Sequence, residues 1–149
     1  MWNSWKRFAA TAPARKRLLG EALLSLVLAR VAMACMPFRR IAAWLGKPGI
    51  ETPVSAPAEA IDVAKDIGWA VGVLARRVPW DSRCLAQALA ATFMLRQRGL
   101  EGTVSIGGDK DASAQLTAHA WLRFGPFMVT GGPGYERFRI FTTFARRKS

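Results

Sequence analysis

The hydrophobic period of the chain changes once, at Gly99, and that change limits its fold more than any other feature. Before Gly99, apolar residues recur at steps of three and four, as on one face of a helix; after it they alternate, as on one face of a strand. A chain of 149 residues holds one compact core and is too short for two well-separated ones. The expected fold class is therefore α+β, with helices preceding a small antiparallel sheet.

Along the helical part, residues 1–16 are basic and carry Trp2 and Trp5. From Arg17 they give way to a long apolar helix that Pro37 closes. A short helix over Ile41–Leu45 follows. Gly46-Lys47-Pro48-Gly49 and the stretch Pro53–Pro57 then form the one clear linker, dividing an N-terminal helical part (1–50) from the rest (51–149). Glu59–Arg77 reads as a helix with Ile61, Ala64, Ile67, Val71 and Leu74 inward. Val78-Pro79-Trp80 ends it. The next helix, Ser82–Arg98, takes Asp81 or Ser82 as N-cap, Leu85, Leu89 and Phe93 as its core row, and Gly99 as its stop. Cys84 falls in its first turn.

The β part begins with Thr103–Ile106, followed by a loop expected over Gly107-Gly108 and Asp109–Ser113. Leu116–Phe124 alternates, with Leu116, Ala118, Ala120, Leu122 and Phe124 on one face and Thr117, His119, Trp121 and Arg123 on the other. Gly125-Pro126 turns into Phe127–Thr130, Gly131-Gly132 reads as a turn, and Phe138–Phe144 is the last strand.

Charge narrows the partners. The formal net charge of +12 favours something acidic, but no helix-turn-helix, zinc-finger or RNA-recognition pattern accompanies the basic residues, so nucleic acid is not expected. Two cysteines and one histidine supply too few ligands for a zinc site, so neither metal nor other cofactor is implied. Cys35, among Val31, Ala32, Met33 and Ala34, reads as a buried helix residue. Glu21 and Arg30 interrupt the apolar stretch Leu18–Phe38, which leaves Ala22–Ala29 too short to span a bilayer. A core helix with a narrow polar stripe is favoured over peripheral membrane contact, and the cytoplasm is the default compartment.

The chemistry concentrates on Cys84 and His119. A thiol attacks carbonyls only as its thiolate, and the unpaired amides and dipole of a helix's first turn favour negative charge there; the same amides can hold the oxyanion of acyl transfer. His119, the only histidine, lies mid-strand on the face opposite the core row. Cysteine at a helix start followed by a hairpin bearing histidine is a cysteine-hydrolase layout. Trp80 and Trp121 either line the cleft beside this pair or pack in the core.

The runs VPWDSRCLAQALAATFMLRQRGL, VSIGG and LTAHAWLRFGPFMVTGG resemble the lasso-peptide leader peptidase family of the transglutaminase-like superfamily. In that family a W-x-x-x-C-L segment opens the catalytic helix and A-H-A-W carries the histidine; here these are Trp80, Cys84 and Leu85, and Ala118 to Trp121. The likeness runs from about Leu18 to Phe144. It implies a papain-like or transglutaminase-like cysteine peptidase core that cuts a ribosomally made lasso precursor peptide between leader and core. The implied partners are that precursor, a separate leader-binding recognition protein and an ATP-dependent lasso cyclase. The family's triad ends in an Asp on the strand after the histidine, whereas this chain has Val129-Thr130-Gly131-Gly132 there and no Asp beyond Asp111. The imidazole is then oriented by Thr130, by Glu136 or by a backbone carbonyl, or the pair works as a dyad; Asp81 is a weaker candidate, since an N-cap role explains it. The alternatives are a non-catalytic membrane-associated or scaffold subunit of the same pathway, and a transglutaminase or amidase on another substrate.

Overall fold

The computed structural model describes residues 12–78, 84–110, 116–132 and 138–146. Four helices, α1 (Ala12–Cys35), α2 (Phe38–Leu45), α3 (Ala58–Ala75) and α4 (Cys84–Gln97), accompany five strands. These are β1 (Lys47–Pro48), β2 (Thr103–Lys110), β3 (Leu116–Phe124), β4 (Phe127–Thr130) and β5 (Arg139–Ala145). The strands form one antiparallel sheet in the order β1-β5-β2-β3-β4. The fold is α+β, as the change of period predicts. α3 and α4 lie against β3 and β4, and α1 packs across α3 and α4 as an outer layer.

The alternation in β3 sets the two faces of the sheet. Ala120, Leu122 and Phe124 are buried, and Leu122 and Phe124 join Val104 and Phe144 in the core beneath the helices. His119, Trp121 and Arg123 point the other way. That outer face is strapped by residues 50–53. Thr52 N–H donates to Thr103 Oγ1 at 2.8 Å, Thr143 Oγ1 donates to the Ile50 carbonyl at 3.1 Å, and Arg123 donates to the carbonyls of Thr52 (3.0 Å) and Gly125 (2.8 Å).

Three expectations need correcting. Of the core row Leu85, Leu89 and Phe93, Leu89 is buried and Leu85 and Phe93 are half-buried, but the row does not describe α4 fully, since Ala86, Ala88, Ala90, Ala91, Met94 and Leu95 are buried as well. Sheet, α1 and α3 enclose this helix on most sides, so small side chains that let neighbours approach replace an amphipathic row. Gly107 and Gly108 are not a loop but the continuation of β2, opposite His119 and Ala118. A Cβ at Gly107 would lie 2.5 Å from the Arg139 carbonyl oxygen and 3.1 Å from the Trp121 ring. There the glycine serves close packing.

The third correction is α1. Ala22, Ser25, Leu26 and Ala29 are buried, but the stripe on its solvent side is apolar rather than polar: Leu23, Leu24, Val27, Leu28 and Val31 are 37–58% exposed. Cys35, expected inside, is exposed. By length and composition Pro13–Cys35 is apolar enough to cross a membrane, contrary to the shorter run counted from sequence.

Helix α3 approaches β4 at Gly68, where an added Cβ would meet the Val129 carbonyl oxygen at 2.7 Å. Gly72, one turn on, has only an ordinary contact, 3.8 Å from an Arg76 nitrogen. Glycine inside a helix costs about 0.5–1 kcal/mol relative to alanine, so Gly72→Ala is expected to stabilise by that amount. Gly68→Ala should reverse the sign and destabilise by about 1–3 kcal/mol, because backbone must shift to admit the methyl group. Urea unfolding of the two variants beside the parent chain checks both signs.

Candidate active site

The site forms where β3 outruns its neighbour. β4 pairs with β3 at Leu122–Thr130, Arg123–Met128 and Phe124–Phe127, with a bulge between the first two pairs, so no β4 residue stands opposite Ala120. The start of α4 takes that place: the Ala120 N–H donates to Cys84 Sγ at 3.3 Å. This peptide nitrogen joins Ala120 to His119, so the sulfur lies within one residue of the histidine backbone. Burial of Ala86 and Ala88–Leu89 behind Cys84 anchors the helix start.

Cys84 opens the described part of α4 and is half-buried. The leading amides of an α-helix have no intrahelical acceptor, so the N-terminal end of a helix favours an anion. With the Ala120 amide already aimed at Sγ, the thiolate form gains a hydrogen bond from a second element.

His119 Nε2 lies 3.0 Å from the carbonyl oxygen of Gly131. A carbonyl only accepts, so this hydrogen bond requires the proton on Nε2 and leaves the lone pair of the neutral ring on Nδ1. The ring joins an aromatic cluster, its centroid 5.6 Å from that of Trp121 and 4.7 Å from that of Phe138, which are themselves 6.3 Å apart. Trp121, only 3% exposed, therefore packs as a wall of the imidazole's seat. The sulfur's hydrogen bond runs to Ala120 and the imidazole's to Gly131.

Gly131 is shaped for this contact. Its φ of 75° lies in the left-handed region, and a Cβ there would sit 2.5 Å from Trp121 Cβ and 2.8 Å from the Ala120 carbonyl oxygen. The sequence leaves a backbone carbonyl as one option for orienting the histidine, but in it Gly131 reads only as a turn. A carbonyl has no residue-type signature, and the glycine beyond a strand paired with the histidine strand was the available signal.

The other sequence candidates are placed differently. Thr130 stands opposite Leu122, on the core side of β3, and is buried. Its Oγ1 has no hydrogen-bond partner among the described residues, and the imidazole bonds the next residue's carbonyl instead. Trp80, Asp81 and Glu136 lie outside the described residues. Cys35 is on α1, near the end of a different helix from Cys84. No group of three or more metal-ligating side chains occurs among the described residues.

A thiol at a helix start, an amide on that thiol and a histidine of fixed tautomer one residue away can perform acyl transfer through a thioester. No curated protein and no solved structure matches the chain. The family model of the transglutaminase-like superfamily, which includes cysteine peptidases and transglutaminases, matches residues 23–143, from within α1 to within β5. With the match spanning both the helical layers and the sheet that carry Cys84 and His119, the chain belongs to the transglutaminase-like superfamily.

Proposed function

We propose that the chain is a cysteine peptidase in which Cys84 is the nucleophile, His119 the general base and acid, and the Gly131 carbonyl the group that orients the imidazole. The observation that carries this reading is the joint placement of Sγ on the Ala120 amide and of Nε2 on the Gly131 carbonyl. Nδ1 takes the proton of the thiol, and the thiolate attacks the carbonyl carbon of a peptide bond. The oxyanion of the tetrahedral intermediate is held by the leading amides of α4. Collapse of that intermediate returns the proton from Nδ1 to the leaving amine and leaves an acyl thioester on Cys84. Water, deprotonated by the same nitrogen, hydrolyses the thioester and restores the thiol.

The substrate we propose is a lasso precursor peptide, cut between leader and core. The support is the pair of motifs, W-x-x-x-C-L at Trp80–Leu85 and A-H-A-W at Ala118–Trp121. In this reading a separate recognition protein presents the leader, raising the local concentration of the scissile bond. The freed core passes to an ATP-dependent cyclase.

Cys84→Ala and His119→Ala should each lower precursor cleavage by ~10⁴-fold or more with folding intact, since nucleophile and base act as one unit. Cys35→Ala should leave it unchanged. Mass analysis of the product over time is the measurement, and turnover by Cys84→Ala rejects the assignment. Product mass in the presence of a primary amine separates hydrolysis from transglutamination. Cleavage rates with and without the recognition protein, at matched precursor concentration, test the two-protein arrangement.

The orienting group has its own test. Gly131→Ala forces a methyl group against Trp121 at a left-handed φ and moves the carbonyl, so kcat should fall by ~10²-fold with KM little changed. Thr130→Val keeps the shape and removes a buried hydroxyl with no partner among the described residues. It should leave kcat within a few-fold and raise stability by about 1 kcal/mol. A large loss of kcat in Thr130→Val with Gly131→Ala still active would transfer the orienting role to the threonine.

A further inference from the structure

The solvent side of α1 is an apolar strip with a cationic border. Leu23, Leu24, Val27, Leu28 and Val31 are all exposed, and at 100° per residue they fall within one continuous sector. Leu28 also lines, with Ala29, Met36, Ile41, Trp44 and Phe93, a groove of about 180 Å³ between α1, α2 and α4, which extends the apolar surface. Lys16 and Arg17 precede the strip, Arg30 flanks it, and Arg39 and Arg40 follow on α2, all exposed. α1 and α2 together contain one acid, Glu21. Arg98 binds it in bidentate fashion, at 2.7 and 2.8 Å, so it does not neutralise the border.

A second copy of this chain does not suit the surface. Laid antiparallel, two such helices bring Lys16 and Arg17 of one toward Arg39 and Arg40 of the other; laid parallel, each cation meets its own counterpart. Both arrangements set like charges together around an apolar seam. Specific protein partners are anchored by aromatic, arginine and hydrogen-bonding groups at the centre of the patch. The centre here holds only leucine and valine, which bind without fixing an orientation, while every charge lies at the margin. An apolar strip that enters the acyl boundary, with cations at headgroup level, suits an anionic bilayer. The opposite face of α1, through Ala22, Leu26 and Ala29, is committed to the protein core, so the helix lies in the interface instead of spanning it.

We infer that α1, with the basic start of α2, is a docking surface for an anionic phospholipid membrane, which holds the domain at the bilayer with α1 in the interfacial plane. This inference does not depend on the proposed peptidase activity.

The test is co-sedimentation of the full chain with vesicles of phosphatidylcholine alone or mixed with phosphatidylglycerol. The expected result is binding to the mixed vesicles, much weaker binding to the neutral ones, and release as salt is raised. The double variant Leu24→Gln/Val31→Gln should lower partitioning to mixed vesicles by about tenfold or more, through lost apolar burial. Arg39→Gln/Arg40→Gln should lower it by about fivefold per cation on mixed vesicles only. All four positions are exposed, and unchanged thermal unfolding of the variants shows that the fold is kept. Failure of the parent chain to sediment with mixed vesicles overturns the inference. So does a concentration-dependent dimer, or a complex with an acidic protein, that the Leu24→Gln/Val31→Gln variant abolishes while vesicle binding persists. Binding that survives both high salt and alkaline carbonate would indicate a spanning helix, and overturns the interfacial placement.

Discussion

The Ala120 amide is the point on which the site depends. A strand at the interior of a sheet satisfies its amides with its neighbours, and a buried one left alone costs about 1–3 kcal/mol. β4 stops pairing at Leu122, so β3 would present an unpaired donor inside the fold. The sulfur of Cys84 fills that vacancy from the start of α4. The hydrogen bond that completes the sheet thus also fixes the thiol proposed as nucleophile. It ties the helix that supplies anion-binding amides to the strand that supplies the histidine, and neither element can shift along the other without exposing a donor. The bulge beside Val129 and the left-handed turn at Gly131 belong to the same arrangement, since together they end β4 and aim a carbonyl at His119.

A carbonyl in the orienting position changes how the work is shared. A carboxylate fixes the imidazole and also stabilises the imidazolium with a full charge, whereas a carbonyl fixes the tautomer and offers only its dipole. The thiolate–imidazolium pair must then draw more of its stabilisation from the thiolate side. On that side the Ala120 amide is aimed at the sulfur, and the N-terminal end of α4 favours negative charge. Trp121 and Phe138 pack against the imidazole and add contact to its hydrogen bond.

The legible parts of the chain were those with a period. The 3.6-residue pattern placed α3 with Ala64, Ile67 and Val71 inward, and the alternation of β3 put His119 opposite Ala120 and Leu122, as the structure has them. Illegible parts were those where packing is two-sided or where backbone does the work. α4, enclosed by sheet and helices, uses alanines whose small size no periodicity reports. Gly107 and Gly108 carry turn chemistry in their residue type but continue β2, and at Gly107 the Arg139 carbonyl and the Trp121 ring leave no room for a side chain. A backbone carbonyl was one option among several and pointed to no residue, since any residue offers a carbonyl and only the course of the chain aims that of Gly131 at the imidazole.

The layering explains why α1 can be apolar on both sides without weakening the site. α3 and α4 already cover the sheet, so α1 adds a third layer, and its inner face alone completes the core. Its lateral position is set by small and medium side chains, Ala22, Leu26 and Ala29, and by the Glu21–Arg98 pair. That pair is only partly buried, so it contributes about 1 kcal/mol or less and acts more through geometry than through energy. By binding the one acid of α1 it leaves Lys16, Arg17 and Arg30 without a countercharge on their own helix. Arg96, in turn, clasps the end of α2 by donating to the Trp44 and Leu45 carbonyls while pairing with Glu101 at 2.9 Å, which fixes where Arg39 and Arg40 stand relative to α4. Internal ion pairs therefore do two things at once: they hold the outer layer against α4, and they engage Glu21 and Glu101, so that the outer face of α1 is apolar at its centre with cations at its ends.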